Sequence, residues 1–234
     1  MRDKHMLLRR FLSARFSPGG AYGRQLTLGV LVLALATWIF ATIAEEVVTH
    51  DSLVLIDLAV TQWFQLHTHP ALTRAMWYFT QLHGNLGIAI MTAIFAFFLY
   101  WRSHHFWVVA LVSSVFGGML LNALLKLIFQ RPRPVLDHPL LTLTTHSFPS
   151  GHTLNATVFY GLLAAFLIAR QRSISCRLTA PLLAVLMISL VATSRVYLGV
   201  HFLSDVLASV AEGIAWLALC LTAINTSRLR RSAL

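Results

Sequence analysis

A series of long apolar runs, almost free of charge, limits what this chain can become more than any other feature. Six of them fall at about 25–44, 86–101, 106–129, 153–170, 178–194 and 203–224. Roughly 20 apolar residues in a helix cross the ~30 Å hydrocarbon core of a bilayer. No water reaches the backbone there, so each crossing segment must close its own hydrogen bonds, as a helix does. The predicted fold is therefore all-α, a polytopic membrane protein built as a six-transmembrane-helix bundle. Composition agrees: 57% of the residues are hydrophobic and 11% charged, against roughly 25% charged in soluble domains. The second and fifth runs are short and need flanking residues to complete a crossing. The first exceeds the ~7–15-residue core of a cleaved signal, so it is expected to remain as a span.

The only long connection is 45–85. Within it Ser52–Leu66 is apolar but carries Asp57 and Gln62, which predicts an interfacial helix in the first outer loop rather than a crossing. Trp63, Trp77 and Tyr78 suit the same depth. Lys and Arg set the orientation. Thirteen of the eighteen lie on one side by alternation of spans, in the N-terminal tail, at Arg102, at Arg170, Arg172 and Arg177, and at Arg228, Arg230 and Arg231. Residues 1–24 and 225–234 are thus expected to be basic cytoplasmic tails flanking a membrane domain over 25–224. The first tail is expected to lie on the anionic inner leaflet. The formal charge of +10 is then an orientation signal; with no accompanying binding module, a nucleic-acid partner is excluded. Cys176 and Cys220 form neither a disulfide framework nor a metal pair.

Against this apolar background three polar cassettes stand out: Lys126-x6-Arg133-Pro134, Pro149-Ser150-Gly151-His152, and Ser194-Arg195-x5-His201-x3-Asp205. They fall at the exit of the third span, before the fourth, at the end of the fifth and at the start of the sixth. With alternating spans all these ends share one face, opposite the basic tails, so the cassettes can converge at the outer face. His201 and Asp205 are four residues apart and share a helix face. A carboxylate there fixes the imidazole tautomer and suits a nucleophilic or basic histidine, although a buried polar pair tying helices together has the same spacing. Pro149–His152 reads as a turn entering a helix, where free N–H groups and the dipole favour an anion; an ordinary helix start reads the same way. Lys126, Arg133 and Arg195 supply counter-charge for phosphate oxygens. One alone could be a snorkelling Lys126 or a solvated Arg133. All three on one face call for an anion.

Together these residues resemble the three-part signature of the type 2 phosphatidic acid phosphatase (PAP2) superfamily, which also includes glucose-6-phosphatase and vanadium haloperoxidases. Eleven positions match: Lys126, Arg133, Pro134, Pro149, Ser150, Gly151, His152, Ser194, Arg195, His201 and Asp205. The resemblance covers about 126–205 and the span layout. It implies a metal-independent, cofactor-free membrane phosphatase acting on lipid phosphate or pyrophosphate through a phosphohistidine. By that resemblance His201 attacks phosphorus, Asp205 orients it, and His152 protonates the leaving oxygen and then activates water. Lys126, Arg133, Ser150, Gly151 and Arg195 hold the phosphoryl oxygens. A helix N-terminus disfavours protonated His152, so the acid is expected to form in the complex with a phosphate dianion, and the pH–rate profile to be bell-shaped. The expected partners are a phospholipid or polyprenyl phosphate substrate and membrane lipids, with oligomeric state open. A bacterial inner membrane fits, with undecaprenyl pyrophosphate first in rank, then phosphatidylglycerophosphate and phosphatidate. Lateral access between helices is expected for such amphiphiles.

Other features carry less. The pairs His67/His69, His104/His105 and His138/His146 lack a supporting ligand constellation, and no metal site is expected. Asn122 and Asn155 are expected to bond between helices. Glu212 is read as structural or supporting, and Gly117-Gly118 as a close helix contact. Two rivals remain: a phosphotransferase using the same site, and a lipid-binding membrane protein without turnover.

Overall fold

The computed structural model describes residues 23–49, 52–136 and 145–231. Most of the basic N-terminal tail, and His138, therefore lie outside the described residues. Among the described residues there are eight helices: α1 (Arg24–Thr49), α2 (Ser52–Leu66), α3 (Pro70–Gln81), α4 (Asn85–Trp101), α5 (His105–Phe129), α6 (Gly151–Arg170), α7 (Ile174–Tyr197) and α8 (Leu203–Arg231). Five of them, α1 and α5–α8, are long and apolar enough to cross a bilayer, and α3 with α4 passes as a pair bent by 53°. Counting the pair as one broken span gives the six crossings read from sequence.

The differences have local causes. The second run needs more than its flanking residues: it gains a whole extra helix, α3, hidden in sequence by Thr73, Arg74, Thr80 and Gln81. Pro70 begins that helix, where its fixed φ suits the first turn, and the His69 ring accepts the Ala71 N–H at 3.3 Å. At the other end of the chain α8 runs on to Arg231, past the expected boundary at 224, because nothing between Ala223 and Arg231 breaks a helix.

Helix α6 is the hub. Over half of its span, 56%, is buried, against 6% for α1, which leaves α1 facing lipid. Leu154, Val158, Phe159, Leu162 and Phe166 of α6 pack with Ile88 and Leu99 of α4 and Ala110, Leu111 and Val115 of α5. Gly117 and Gly118 admit Trp216 of α8, as the glycine pair predicts. A Cβ on Gly117 would stand 2.5 Å from its Cζ2, and the indole N–H donates to the Ser114 carbonyl at 2.8 Å. Helix α2 has lipid-type residues outward, Leu55, Ile56 and Leu58. Asp57, however, does not face water. It is fully buried against the bundle, and only Gln62 behaves as the exposed polar residue of an interfacial helix.

Candidate active site

The C-terminal ends of α5 and α7 and the N-terminal ends of α6 and α8 meet at one end of the bundle, and the cassettes meet with them. Asp205 sits at the third position of α8 and reaches back to accept the Phe202 N–H at 2.9 Å, which caps the helix. The same oxygen faces His201 Nδ1 at 3.3 Å and accepts the Ser147 hydroxyl. Its other oxygen accepts Arg131 Nη1 at 2.5 Å. Nδ1 of His201 is thereby committed to the carboxylate, and the lone pair of a neutral ring falls on Nε2. That nitrogen lies 3.4 Å from Arg133 Nη1. Burial pushes the His201 imidazole down to about 3; the Arg195 and Arg133 charges push the same way and Asp205 opposes them. The ring is therefore neutral at physiological pH, with its Nε2 lone pair turned to the Arg133 guanidinium. Gly199, at φ +68, turns the chain between Arg195 and His201, and its bare face lies against Leu136 and Gln65.

Arg133 is anchored by carbonyls: Nε to Thr145 at 2.7 Å, Nη1 to Val200 at 2.5 Å and Nη2 to His146 at 3.3 Å. Burial lowers its pKa, with Asp205 opposing, yet a guanidinium stays charged in any case. Lys126 spans to the His146 and Ser147 carbonyls at 2.7 and 3.3 Å, so it reaches the turn beside His201 rather than His201 itself. Ser150 precedes α6 without capping it. Its hydroxyl pairs with Thr153 at 3.1 Å, and its N–H donates to the Asp205 carbonyl at 3.3 Å. Gly151 lies close to Asn122, whose Oδ1 would be 3.2 Å from an added Cβ.

His152 and Arg195 face a different wall, the break between α3 and α4. Arg195 is 1% exposed, donates from Nη1 to Thr80 Oγ1 at 3.1 Å, and has no partner at Nε. The His152 ring lies against Gly84 and feels the charges of Arg195, His201 and Arg133. Every sequence-predicted site residue thus falls in this one end of the bundle. His201, Asp205 and Arg133 are in direct contact, Ser150 joins them through its backbone, and the others surround them.

Four further residues, Asp57, Arg131, Ser147 and Ser204, belong to this cluster and to none of the predicted site positions. Arg131 bridges two fully buried carboxylates, Asp205 at 2.5 Å and Asp57 at 2.8 Å, and lies 4.3 Å from the centre of the Phe202 ring. Asp57 also accepts the Ser204 N–H at 2.8 Å and the Ser204 hydroxyl. A lone acid in an apolar helix signals a buried partner, and Arg131 lies inside the Lys126–Arg133 spacing. Both clues are present without the fold, but neither names the partner. Four cations, Lys126, Arg131, Arg133 and Arg195, surround two aspartates here, leaving net positive charge for an anion.

A model of the PAP2 superfamily matches residues 107–229. The chain is 31% identical over 183 residues to phosphatidylglycerophosphatase B of Bacillus subtilis, covering 77% of this chain and 89% of that protein. It is 32% identical over 102 residues to undecaprenyl-diphosphatase BcrC of the same organism, covering 42% and 48%. The crystal structure of a transmembrane PAP2 type phosphatidylglycerolphosphate phosphatase from Bacillus subtilis is similar with a TM-score of 0.74 at 28% identity, over 81% of this chain and 94% of that one.

Proposed function

Because this chain belongs to the PAP2 superfamily and is a bacterial membrane lipid phosphatase, we propose that it removes the terminal phosphate of phosphatidylglycerophosphate. The relative that acts on that lipid matches 77% of the chain, whereas the undecaprenyl-diphosphatase matches 42%; this reverses the rank drawn from sequence. Undecaprenyl pyrophosphate is the second reading.

The observation that carries the mechanism is His201, held by Asp205 at Nδ1 and facing the Arg133 guanidinium with Nε2. The Nε2 lone pair attacks phosphorus. The bond from phosphorus to the lipid oxygen breaks, and that oxygen takes a proton from His152. Arg133, Arg195, Lys126, the Ser150 hydroxyl and the first N–H groups of α6 at Gly151 receive the phosphoryl oxygens. Water then attacks the phosphohistidine, and neutral His152 takes its proton. The N–P bond breaks, with its electron pair returning to Nε2, and phosphate leaves. Asp205 stays ionised throughout, since it already accepts from Arg131 and Ser147.

The cluster is assigned to the outer face and both termini to the cytoplasm, supported by thirteen of the eighteen Lys and Arg on the opposite side. An apolar groove of about 1060 Å³ between α1, α6, α7 and α8, lined by Leu28, Ala165, Ile188 and Leu217, reaches Val206 beside Asp205. It supports a lipid tail entering sideways.

The test is phosphate release by purified protein, with EDTA, from phosphatidylglycerophosphate, undecaprenyl pyrophosphate and phosphatidate in parallel. Release that survives EDTA, ranks in that order and disappears in His201→Ala is the expected result. Acceptor-dependent transfer without free phosphate points to a phosphotransferase. No turnover on any lipid points to a binding protein.

A further inference from the structure

The break between α3 and α4 does more than bend a span. Residues Thr80–Asn85 touch both site groups that the nucleophile's network leaves out. Thr80 Oγ1 receives Arg195 at 3.1 Å. One turn later, Gly84 lies under the tip of His152: a Cβ there would be 3.3 Å from Nε2 and 3.8 Å from Cε1.

Backbone geometry does not explain this glycine. Gly84 has φ −66 and ψ 169, which any residue adopts. It is also the N-cap of α4, where Asn, Asp and Ser rank ahead of glycine. What glycine supplies here is the missing side chain, and the group facing that space is His152.

The break is also locked to the helix that carries His152. Asn155 donates to the His83 carbonyl at 3.1 Å and to Asn85 Oδ1 at 3.4 Å. His83, 1% exposed, pairs through Nε2 with Tyr160 of α6 at 2.9 Å and turns its ring away from the site. Four side chains, Asn85, Asn155, His83 and Tyr160, none in a signature position, thus hold the bare Gly84 backbone against His152.

In-line transfer puts the leaving oxygen on the side of phosphorus opposite His201, within hydrogen-bond reach of His152, about 3 Å. The first carbon beyond that oxygen must then border the space in front of Gly84. We propose that the α3–α4 break is the leaving-group subsite, with Gly84 keeping open the place of the lipid's alkoxide end. This rests on the proposed roles of His201 and His152.

The experiment measures turnover and phosphate inhibition in Gly84→Ala. Phosphatidylglycerophosphate and p-nitrophenyl phosphate both place a carbon beyond the leaving oxygen, whereas inorganic phosphate has none. With detergent-purified protein, the lipid rate should fall about 100-fold, the aryl ester rate should fall with it, and inhibition by inorganic phosphate should be unchanged. Asn155→Ala, which frees the break without filling the space, should lower the lipid rate by less, again with phosphate inhibition unchanged. Phosphate inhibition weakened in step with the rates would make Gly84 a structural residue and overturn the proposal; so would an unchanged lipid rate. The wild-type and His201→Ala controls keep this separate from the function itself. If the wild type releases no phosphate from lipid, the function reading fails; if it does and Gly84→Ala is indistinguishable from it, only the subsite fails.

Discussion

The two sides of the site are built differently. On the nucleophile side, Asp205 is saturated: Arg131, the Ser147 hydroxyl and the Phe202 N–H donate to it, and His201 Nδ1 faces it. Asp57 in turn holds Arg131 and Ser204. On the acid side, Arg195 is buried with an unpartnered Nε, Ser150 caps nothing, and Gly84 offers no side chain at all. The protein alone fixes the nucleophile's geometry. The acid side keeps donors and space for a ligand to complete. Damage to the first side should therefore be felt by every substrate, and damage to the second in proportion to what the leaving group needs.

The largest effect should come from Asp205→Asn. An amide can present its N–H₂ to Nδ1 and favour the wrong imidazole tautomer, so kcat should fall about 10⁴-fold. Steady-state phosphate release should register the same loss on lipid and on p-nitrophenyl phosphate. A loss confined to the lipid would erase the distinction between the two sides. Next comes Arg131→Met, which leaves two buried carboxylates without their shared cation. Unfolding in detergent should show a cost of about 3–5 kcal/mol, with a fall in kcat on both substrates. Asp57→Asn keeps Arg131 on Asp205 and should cost less stability and little activity. If the two variants lost activity equally, Arg131 would serve only to dock α2.

That division is only half legible in the sequence. The spans are, because apolar length and charge are local properties of a run, and the parity of six spans suffices to bring Lys126, Ser150, Arg195 and His201 to one end. His201 with Asp205 is legible from a four-residue spacing. Arg131 is hidden because its partners are 74 residues away in both directions, at Asp57 and Asp205. Asp57 is read as the surface group of an interfacial helix because the clue it carries is ambiguous: a lone acid in a short apolar helix looks the same whether it faces water or a buried arginine. Helix α3 escapes because polar residues interrupt its apolar run: Arg74 and Gln81 are exposed while Thr80 faces Arg195, and periodicity cannot tell the two apart. Gly84 carries no signal: its space is defined by His152, 68 positions on.

Acid should sharpen the same contrast through His201. With its imidazole held at about 3 in the folded protein and an ordinary value of about 6.5 unfolded, the unfolded chain binds the extra proton between these limits. The contribution to stability is complete above pH 6.5 and shrinks as pH falls through that window, by about 2 kcal/mol at pH 5. Unfolding in detergent at pH 7.5 and pH 5 should show a larger acid loss in the wild type than in His201→Asn. Equal losses would mean that the ring titrates normally and that the nucleophile, too, waits for its ligand.

The smallest effect tests where the site ends. Glu212 lies seven residues beyond Asp205 on α8, 4% exposed, with Oε2 accepting from Asn122 at 3.1 Å and Oε1 unpartnered. Asn122 also lies beside Gly151, and Lys126 is one turn further along α5. The carboxylate therefore sits beneath the phosphate-binding residues, where a negative charge works against an anion. If its task is to hold Asn122, an amide does the same: Glu212→Gln keeps an oxygen for Asn122 and removes a buried carboxylate. Its kcat should stay within about threefold of wild type and its stability within about 1 kcal/mol. Glu212→Leu leaves Asn122 without its acceptor and should cost about 1–2 kcal/mol, with kcat still near wild type on both substrates. A loss in Glu212→Gln on the scale of Asp205→Asn would make the carboxylate itself part of the reaction. The saturated network on the nucleophile side would then extend one layer deeper into the membrane than Asp205.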